Sequence, residues 1–421
     1  MSLLKTQINL SLSTKTFRIY PRLQLDITWA NLIKTLLSFG QIPDINQSLA
    51  NIQSFWQVDK EVVVTFSVRT AFDLLLQSLK IPRCSEVLIS AINIGDMVEI
   101  IKLHGLIPVP VDISLLSAEP SLELLNKLVS SKTKILLVAH LFGTIFNLQP
   151  YVEFCQKHNL ILIEDCAQAF AGKKYYGHPQ ADVGLFSFGP IKSCTALGGA
   201  VALVRDKTIA KNMLYLQEQY PKKSEYWFFQ RVLKFLCLKL LSIPWIYCQL
   251  LYLLQILGYD VDSAINSTTR GFSKGDLLSK IRYRPPHHLL WLIAHRLSEC
   301  QGFSYRLETA EKFFNILRTN IIIPGVKADY NSFWLVPILV AETELMLLKL
   351  RENSFDATRG NTSLIVIETC SNHREFPFPE NAKYLMEHIL YLPVNQNVPE
   401  TELHRLAQCI NVLIATQSSS R

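Results

Sequence analysis

Between about residues 61 and 205, short apolar runs alternate with stretches in which apolar positions recur every three to four residues. "EVVVTF", "EVLIS", "PVPVDI", "KILLVAHLF", "LILIEDC", "VGLFSF" and "GGAVALVRD" have the length and near-continuous apolar character of strands covered on both faces. Between them, "TAFDLLLQSLK", "GDMVEIIKLHG" and "LQPYVEFCQKHN" read as helices, the last two closing on His-Gly and His-Asn. Strand after helix after strand predicts an α/β fold, a large domain with a mostly parallel central sheet covered by helices. Ligands of such sheets bind at the carboxyl ends of the strands.

The pattern changes after residue 210. The segment "YWFFQRVLKFLCLKLLSIPWIYCQLLYLLQILG", residues 226–258, is strongly apolar, and from Phe235 to Gly258 its single charge is Lys239. A membrane span needs roughly 20 apolar residues, so the length suffices. Pro244, Gln249 and Gln255 interrupt the run, which leaves three readings open: a span, a helical hairpin at a membrane interface, or helices packed on the body or on a subunit partner. A loop through "GFSKGDLLSKIRYRPPHH" then leads into a helix, and strands ("FWLVPILV", "TSLIVIE") mix with helices from about Ile321. The expected division is 1–210, an N-terminal segment and the large domain; 211–320, the apolar helical insert and connecting helices; and 321–421, a smaller C-terminal α+β domain.

Composition narrows the function. With 421 residues, 49% hydrophobic and 18% charged, the chain is globular, and its formal net charge of +7 is spread without runs of like charge. That disfavours nucleic acid and suits an anionic small molecule or an anionic membrane surface. Nine cysteines lie at 84, 155, 166, 194, 237, 248, 300, 370 and 409 with no C-x-x-C among them, which argues against zinc and against a disulfide framework and favours a reducing cytosol. The first thirty residues lack the apolar core and cleavage site of a signal peptide. The expected location is cytoplasmic, with peripheral contact at the inner face of a membrane as an option for residues 226–258.

Candidate chemistry clusters where the sheet pattern would put it. Asp165 ends an apolar strand in "LILIEDCAQAF", at the position of a ligand-facing carboxylate, although the same residue would serve to cap a turn. Lys192 in "FSFGPIKSCTALGGA" follows one strand later, in a loop of small residues where an amine can lose its proton and act as a nucleophile; a lysine taken alone is more often a solvated surface residue. An aspartate facing a lysine across a flat ring is the arrangement that keeps a pyridine nitrogen protonated. "SVRT", Ser67 to Thr70, stands between a strand and a helix, so first-turn amides with Arg69 and Thr70 can bind phosphate, or Thr70 can simply cap the helix. Ser187, five residues before Lys192, adds a hydroxyl, and Gly198-Gly199 reads as room for a cofactor.

In order along residues 60 to 205, "VAHLFG", "IEDCAQAF", "GLFSFGPIK" and "LGGA" resemble the DegT/DnrJ/StrS group of pyridoxal-phosphate sugar aminotransferases, of fold-type I. The likeness continues in "IRYRPPHHLLWLIAHRL" and "PENAKYLMEHILYLPVNQ". It implies pyridoxal 5′-phosphate held by Lys192 as an internal aldimine, Asp165 on the pyridine nitrogen, Gln168 beside the ring, and Ser187 with the Arg69-Thr70 loop at the phosphate. It also implies a homodimer that moves an amino group from glutamate to a nucleotide-linked keto-sugar, with Lys192 shuttling the proton. Lysine at 192 argues against the dehydratase branch, where histidine replaces it. Three positions depart from the pattern: Ile94 where an aromatic residue commonly stacks on the cofactor, Leu197 where an acid often precedes the glycines, and Arg282 where an asparagine usually reaches the neighbouring subunit's site. Arg282 and Arg284 would then serve a partner's site or a substrate anion. The departures and the apolar insert motivate an alternative reading, a catalytically silent cofactor-binding scaffold or regulator at a membrane surface.

Overall fold

The computed structural model describes residues 18–22, 25–258, 276–317, 321–359, 363–368 and 377–419. The first 17 residues, the beginning of the loop expected over 271–288, Thr362 of the expected strand "TSLIVIE", Cys370 and the last two residues lie outside it. In chain order the first strands are β1 (Glu61–Thr65), β2 (Glu86–Ser90), β3 (Ile92–Ile94), β4 (Ile107–Val111), β5 (Thr133–Ala139), β6 (Thr144–Ile145), β7 (Ile161–Asp165), β8 (Val183–Ser187) and β9 (Ala200–Val204). Helices among and around them are α1 (Trp29–Ser38), α2 (Ile45–Phe55), α3 (Val68–Leu79), α4 (Gly95–Leu103), α5 (Leu122–Leu128), α6 (Gln149–His158), α7 (Lys207–Glu218), α8 (Glu225–Leu241) and α9 (Pro244–Ile256).

Seven of the strands form one sheet in the order β1-β9-β8-β7-β5-β2-β4. The runs read as strands from the sequence are strands, but β9 runs antiparallel to both β8 and β1, so the sheet is mixed with six strands in one direction. Consecutive side chains along each strand enter different cores. Val63, Leu137 and Ile163 pack beneath α3, α4 and α7, whereas Val64 and Phe186, and likewise Val138 and Leu162, pack on the opposite face. Burial on both faces explains why the strands read as unbroken apolar runs, and each such side chain contributes about 1.5–3 kcal/mol.

The helix ends follow their sequence signals. Ser67 caps α3 by accepting from the Thr70 N–H at 3.1 Å, and α6 ends on Asn159 at φ 51°, the left-handed turn that Asn tolerates. Helix α8 lays Phe228, Val232 and Phe235 on the body, and α9 leaves it at an angle of 94°. Helix α9 is held by Tyr247, whose hydroxyl donates to Asp356 Oδ2 at 2.8 Å. Among the described residues no single helix is long and apolar enough to cross a membrane. None of the eight described cysteines is in a disulfide.

The last part of the chain adds β10 (Tyr330–Asn331), β11 (Val336–Leu339), β12 (Leu364–Val366) and β13 (Ile389–Leu392). Strand β11 pairs antiparallel with β13 over a separate core containing Phe313, Ile338, Met346, Leu390, Leu406 and Ile410. Strand β10 instead pairs with β6, and β12 with β3, which ties residues 330–331 and 364–366 to the loops at the carboxyl edge of the large sheet.

Candidate active site

Register brings the candidate residues to one edge. Asp165 is the last residue of β7 and pairs with Leu185; Ser187 ends β8 opposite Ala200, and Ala200 in turn stands opposite Thr65 at the end of β1. The loop 188–199 joins β8 to β9 at that same edge, and α3 begins three residues after Thr65. Lys192, Asp165, Ser187 and the first turn of α3 therefore share the carboxyl end of the sheet.

Asp165 and Lys192 are electrostatically coupled there. Burial pushes the Asp165 carboxyl up, opposed by the Ala167 N–H at 2.9 Å and by the charges of Lys192, His140 and Arg69. Burial brings the Lys192 amine down to about 8, against the attraction of Asp165 and with the help of Arg69. An amine near 8 has a usable unprotonated fraction at neutral pH, as an amine nucleophile requires. Its loop is built tightly: the Lys192 N–H bonds the Gly189 carbonyl at 3.0 Å, and Thr195 Oγ1 donates to the same carbonyl at 2.6 Å. The Cys194 N–H bonds Asp26 at 2.6 Å, and Arg306 reaches Ser193 Oγ at 2.7 Å and Asp26 at 3.1 Å. Cys194 and Leu197 adopt φ 54° and 64°, left-handed values that cost a non-glycine residue about 1 kcal/mol each.

The other expected residues divide. Gln168 is oriented by the Phe142 N–H, which donates to its Oε1 at 3.0 Å. Ser187 Oγ accepts from the Gly189 N–H at 3.4 Å, and the space over Gly189 is open to ordinary contact distances. Ile94 precedes α4 and pairs with Leu364, packed between two apolar cores. Arg69 stands at the first turn of α3 with its Nε bonded to Asp96 on α4, near enough to Lys192 and Asp165 to influence both.

Three of the expected positions are also engaged by the fold itself. The Thr70 hydroxyl donates to the Ile281 carbonyl at 2.7 Å and its N–H is taken by Ser67, so its side chain ties the start of α3 to Ile281. Arg282 grips Asp73 with two bonds of 2.9 and 3.0 Å, in a knot that also holds His104, Gln77 and Tyr220, and the site it was expected to serve is that of a partner subunit. Leu289 and Ile293 of the helix His287–Ser298 take the space that side chains at Gly198 and Gly199 would need. A Cβ on Gly199, at φ 79°, would lie 2.5 Å from Ile293 Cδ1. Gly199→Ala is thus expected to cost about 2–4 kcal/mol, read as a lower midpoint in urea unfolding.

Several residues that the sequence did not single out complete the site. Glu164, next to Asp165 but on the other face of the strand, is fully buried and accepts from Tyr175, from the His178 N–H at 2.8 Å and from His140 Nε2 at 3.0 Å. Despite its burial, these bonds hold its carboxyl down to about 2. His140, Glu164 and Cys166 lie close enough to hold an ion, but these hydrogen bonds already use the carboxylate. Trp334, from the segment between β10 and β11, places its ring 4.3 Å from Lys192 Nζ and donates its Nε1–H to Ile191 O at 2.8 Å. Strand alternation could have flagged Glu164 as a second buried carboxylate. Nothing local in "NSFWLV" could have flagged Trp334.

Residues 43–232 match the DegT/DnrJ/EryC1/StrS aminotransferase family. A GDP-perosamine synthase from Escherichia coli O157:H7 is 31% identical over 161 residues, which is 37% of this chain and 44% of that enzyme, so the match takes in less than half of the relative. Among solved structures, the aminotransferase TlmJ of Streptoalloteichus hindustanus superposes with a TM-score of 0.71 at 16% identity, over 95% of this chain and all of that one. A GDP-4-keto-6-deoxy-D-mannose-3-dehydratase of E coli with bound hydrated PLP gives 0.67 at 16% identity, over 93% and 99%. The chain shares the fold of these two proteins, an α/β fold with a mostly parallel central sheet as the strand and helix pattern led one to expect.

Proposed function

We propose, from the match of residues 43–232 to the DegT/DnrJ/EryC1/StrS aminotransferase family, that the protein is a pyridoxal-phosphate-dependent aminotransferase. It moves an amino group from an amino acid, glutamate, to a keto-sugar carried on a nucleotide. The observation that supports this most is the coupling of a buried carboxylate and a low-pKa amine, Asp165 and Lys192, at the carboxyl edge of the sheet.

The residues present fit the cofactor. A lysine amine brought down to about 8 suits covalent capture of an aldehyde, and a buried carboxylate suits a pyridinium nitrogen. The first turn of α3 and the Ser187 hydroxyl suit a phosphate. When bound, pyridoxal 5′-phosphate supplies the electron sink that lets the donor carbon lose its proton. Lys192 would hold the cofactor and, once released, its amine would be the base that accepts the donor's proton and the acid that gives it back. Asp165 would keep the ring nitrogen protonated, Gln168 would flank the ring, and Ile94 would cover it by apolar contact in place of an aromatic ring.

The test is direct. Protein reconstituted with pyridoxal phosphate is expected to absorb in the visible, and glutamate is expected to bleach that band with release of 2-oxoglutarate. A screen of nucleotide-linked keto-sugars against the glutamate-treated protein then identifies the acceptor. A band that glutamate leaves unchanged would favour the silent scaffold.

The protein is read as a cytoplasmic homodimer, on the resemblance and on its free cysteines. Helices α8 and α9 give it a further property, peripheral membrane contact. They expose Leu233, Leu240, Trp245, Leu253, Ile256 and Leu257, with Lys234 and Lys239 nearby and no acidic residue anywhere in 226–258. Apolar and aromatic side chains with cations and without acids suit an anionic lipid surface. The protein is expected to float with anionic vesicles and not with neutral ones, and Trp245→Asp with Ile256→Asp to reduce the bound fraction about tenfold. Equal recovery with both vesicle types would remove this part of the proposal.

A further inference from the structure

We propose that Trp334 is a positioning residue for Lys192: its indole holds the lysine amine over the ring face, and this rests on the reading of Lys192 as the reacting amine. The Nζ atom lies 4.3 Å from the ring centroid. A cation over a tryptophan face is drawn by the ring quadrupole, and more strongly where water is excluded.

The ring is fixed from two sides. Its Nε1–H donates to the carbonyl of Ile191 at 2.8 Å, so indole and lysine are fastened to the same stretch of loop. From the other side, the segment carrying Trp334 is seated on Gly143. The Ser332 N–H bonds the Gly143 carbonyl at 2.8 Å, and β10 pairs with β6 one residue beyond Gly143. Gly143 has φ 101°, and a Cβ there would come within 2.7 Å of Ser332 Oγ and 2.9 Å of the Trp334 nitrogen. No other residue permits both that conformation and that approach. The glycine of "HLFG" thus brings a residue from far along the chain to the lysine.

The charged groups facing Lys192 are Asp165 from β7 and Arg69 from α3, the latter paired with Asp96 from α4. Asp165 favours the ammonium and Arg69 the free amine. The indole acts in the same direction as Asp165 without adding a charge or a titrating group. A released lysine that picks up a proton is therefore steadied within reach of the site, over the face of the indole.

Lys192 reactivity in the cofactor-free protein tests this. Trace acetylation with acetic anhydride across pH, quantified on the peptide containing Lys192, gives the midpoint of the amine. Trp334→Leu keeps apolar bulk and removes the quadrupole; the midpoint is expected to fall by roughly one pH unit, with partial return in Trp334→Phe. In the reconstituted enzyme the same Leu variant is expected to lower kcat for the glutamate half-reaction and leave KM near wild type. A midpoint within roughly 0.2 unit of wild type in a folded Leu variant overturns the proposal. Should the Leu variant fail to fold, Trp334→Met, which also lacks the quadrupole, carries the test, and an unshifted midpoint in it counts equally against the proposal. If wild-type protein captures no pyridoxal phosphate while the midpoint still shifts, the functional reading fails and the positioning role stands.

Discussion

Replacing Lys192 with alanine is expected to abolish the visible band of the reconstituted protein and to reduce glutamate-dependent transamination by about 10⁴-fold. Two contributions are lost together, the covalent hold on the cofactor aldehyde and the amine that moves the proton. Each is a large term in its own right, and no described neighbour is placed to supply a second amine: Arg69 carries a guanidinium, and its Nε is bonded to Asp96. The loss is not expected to reflect unfolding. The lysine titrates near 8 in the fold against 10.5 when solvated, so below pH 8 its charged form is disfavoured by folding. The stability it subtracts is recovered as the pH rises from about 8 towards 10.5. Removing it should leave the thermal midpoint at pH 7 equal to or above that of wild type, which a melting curve recorded beside the assay checks.

Asp165→Asn is the second substitution of large effect, with an expected fall in turnover of about 10³-fold and cofactor still captured by Lys192. An amide cannot hold a proton on the pyridine nitrogen, so the ring loses most of its capacity to withdraw electrons. Position and packing are preserved, because the Asn carbonyl can accept from Ala167 as Oδ1 does now. The sign for stability is again favourable. Burial raises the folded carboxyl above its solvated value, so the ionised group opposes folding at neutral pH and a neutral amide removes that cost. A variant that is stable, yellow and nearly inactive distinguishes a role on the ring from a role in the fold. A variant with wild-type turnover would take Asp165 out of the site.

What was legible in the sequence was what local pattern encodes. The strands from "EVVVTF" to "GGAVALVRD" could be placed because burial on both faces makes them continuous apolar runs. Asp165, Ser187 and Lys192 could be placed on one edge because the first two end strands and the third follows one closely. Direction was not legible: β9 has the same composition as its parallel neighbours and runs against them, since apolar content carries no information about which way a strand lies.

Pairings distant in sequence were equally hidden. Asp73 reads as one polar residue on an apolar helix, yet it is the partner that occupies Arg282. Gly198-Gly199 reads as room for a ligand, and only the packing of Leu289 and Ile293 shows that a helix takes the space side chains there would need. Trp334 is separated by 143 residues from the carbonyl it bonds, and its place depends on Gly143, whose role in "HLFG" gives no local sign of a distant tryptophan.

The central claim is that Lys192 is the amine that binds the cofactor, and borohydride reduction tests it most directly. Reconstituted wild-type protein, reduced, digested and sequenced by mass spectrometry, is expected to carry the reduced pyridoxyl phosphate group on Lys192 and to lose it if glutamate is added before the borohydride. Label on another lysine, such as Lys174 over the Tyr330 ring, or no label at all, would contradict the account.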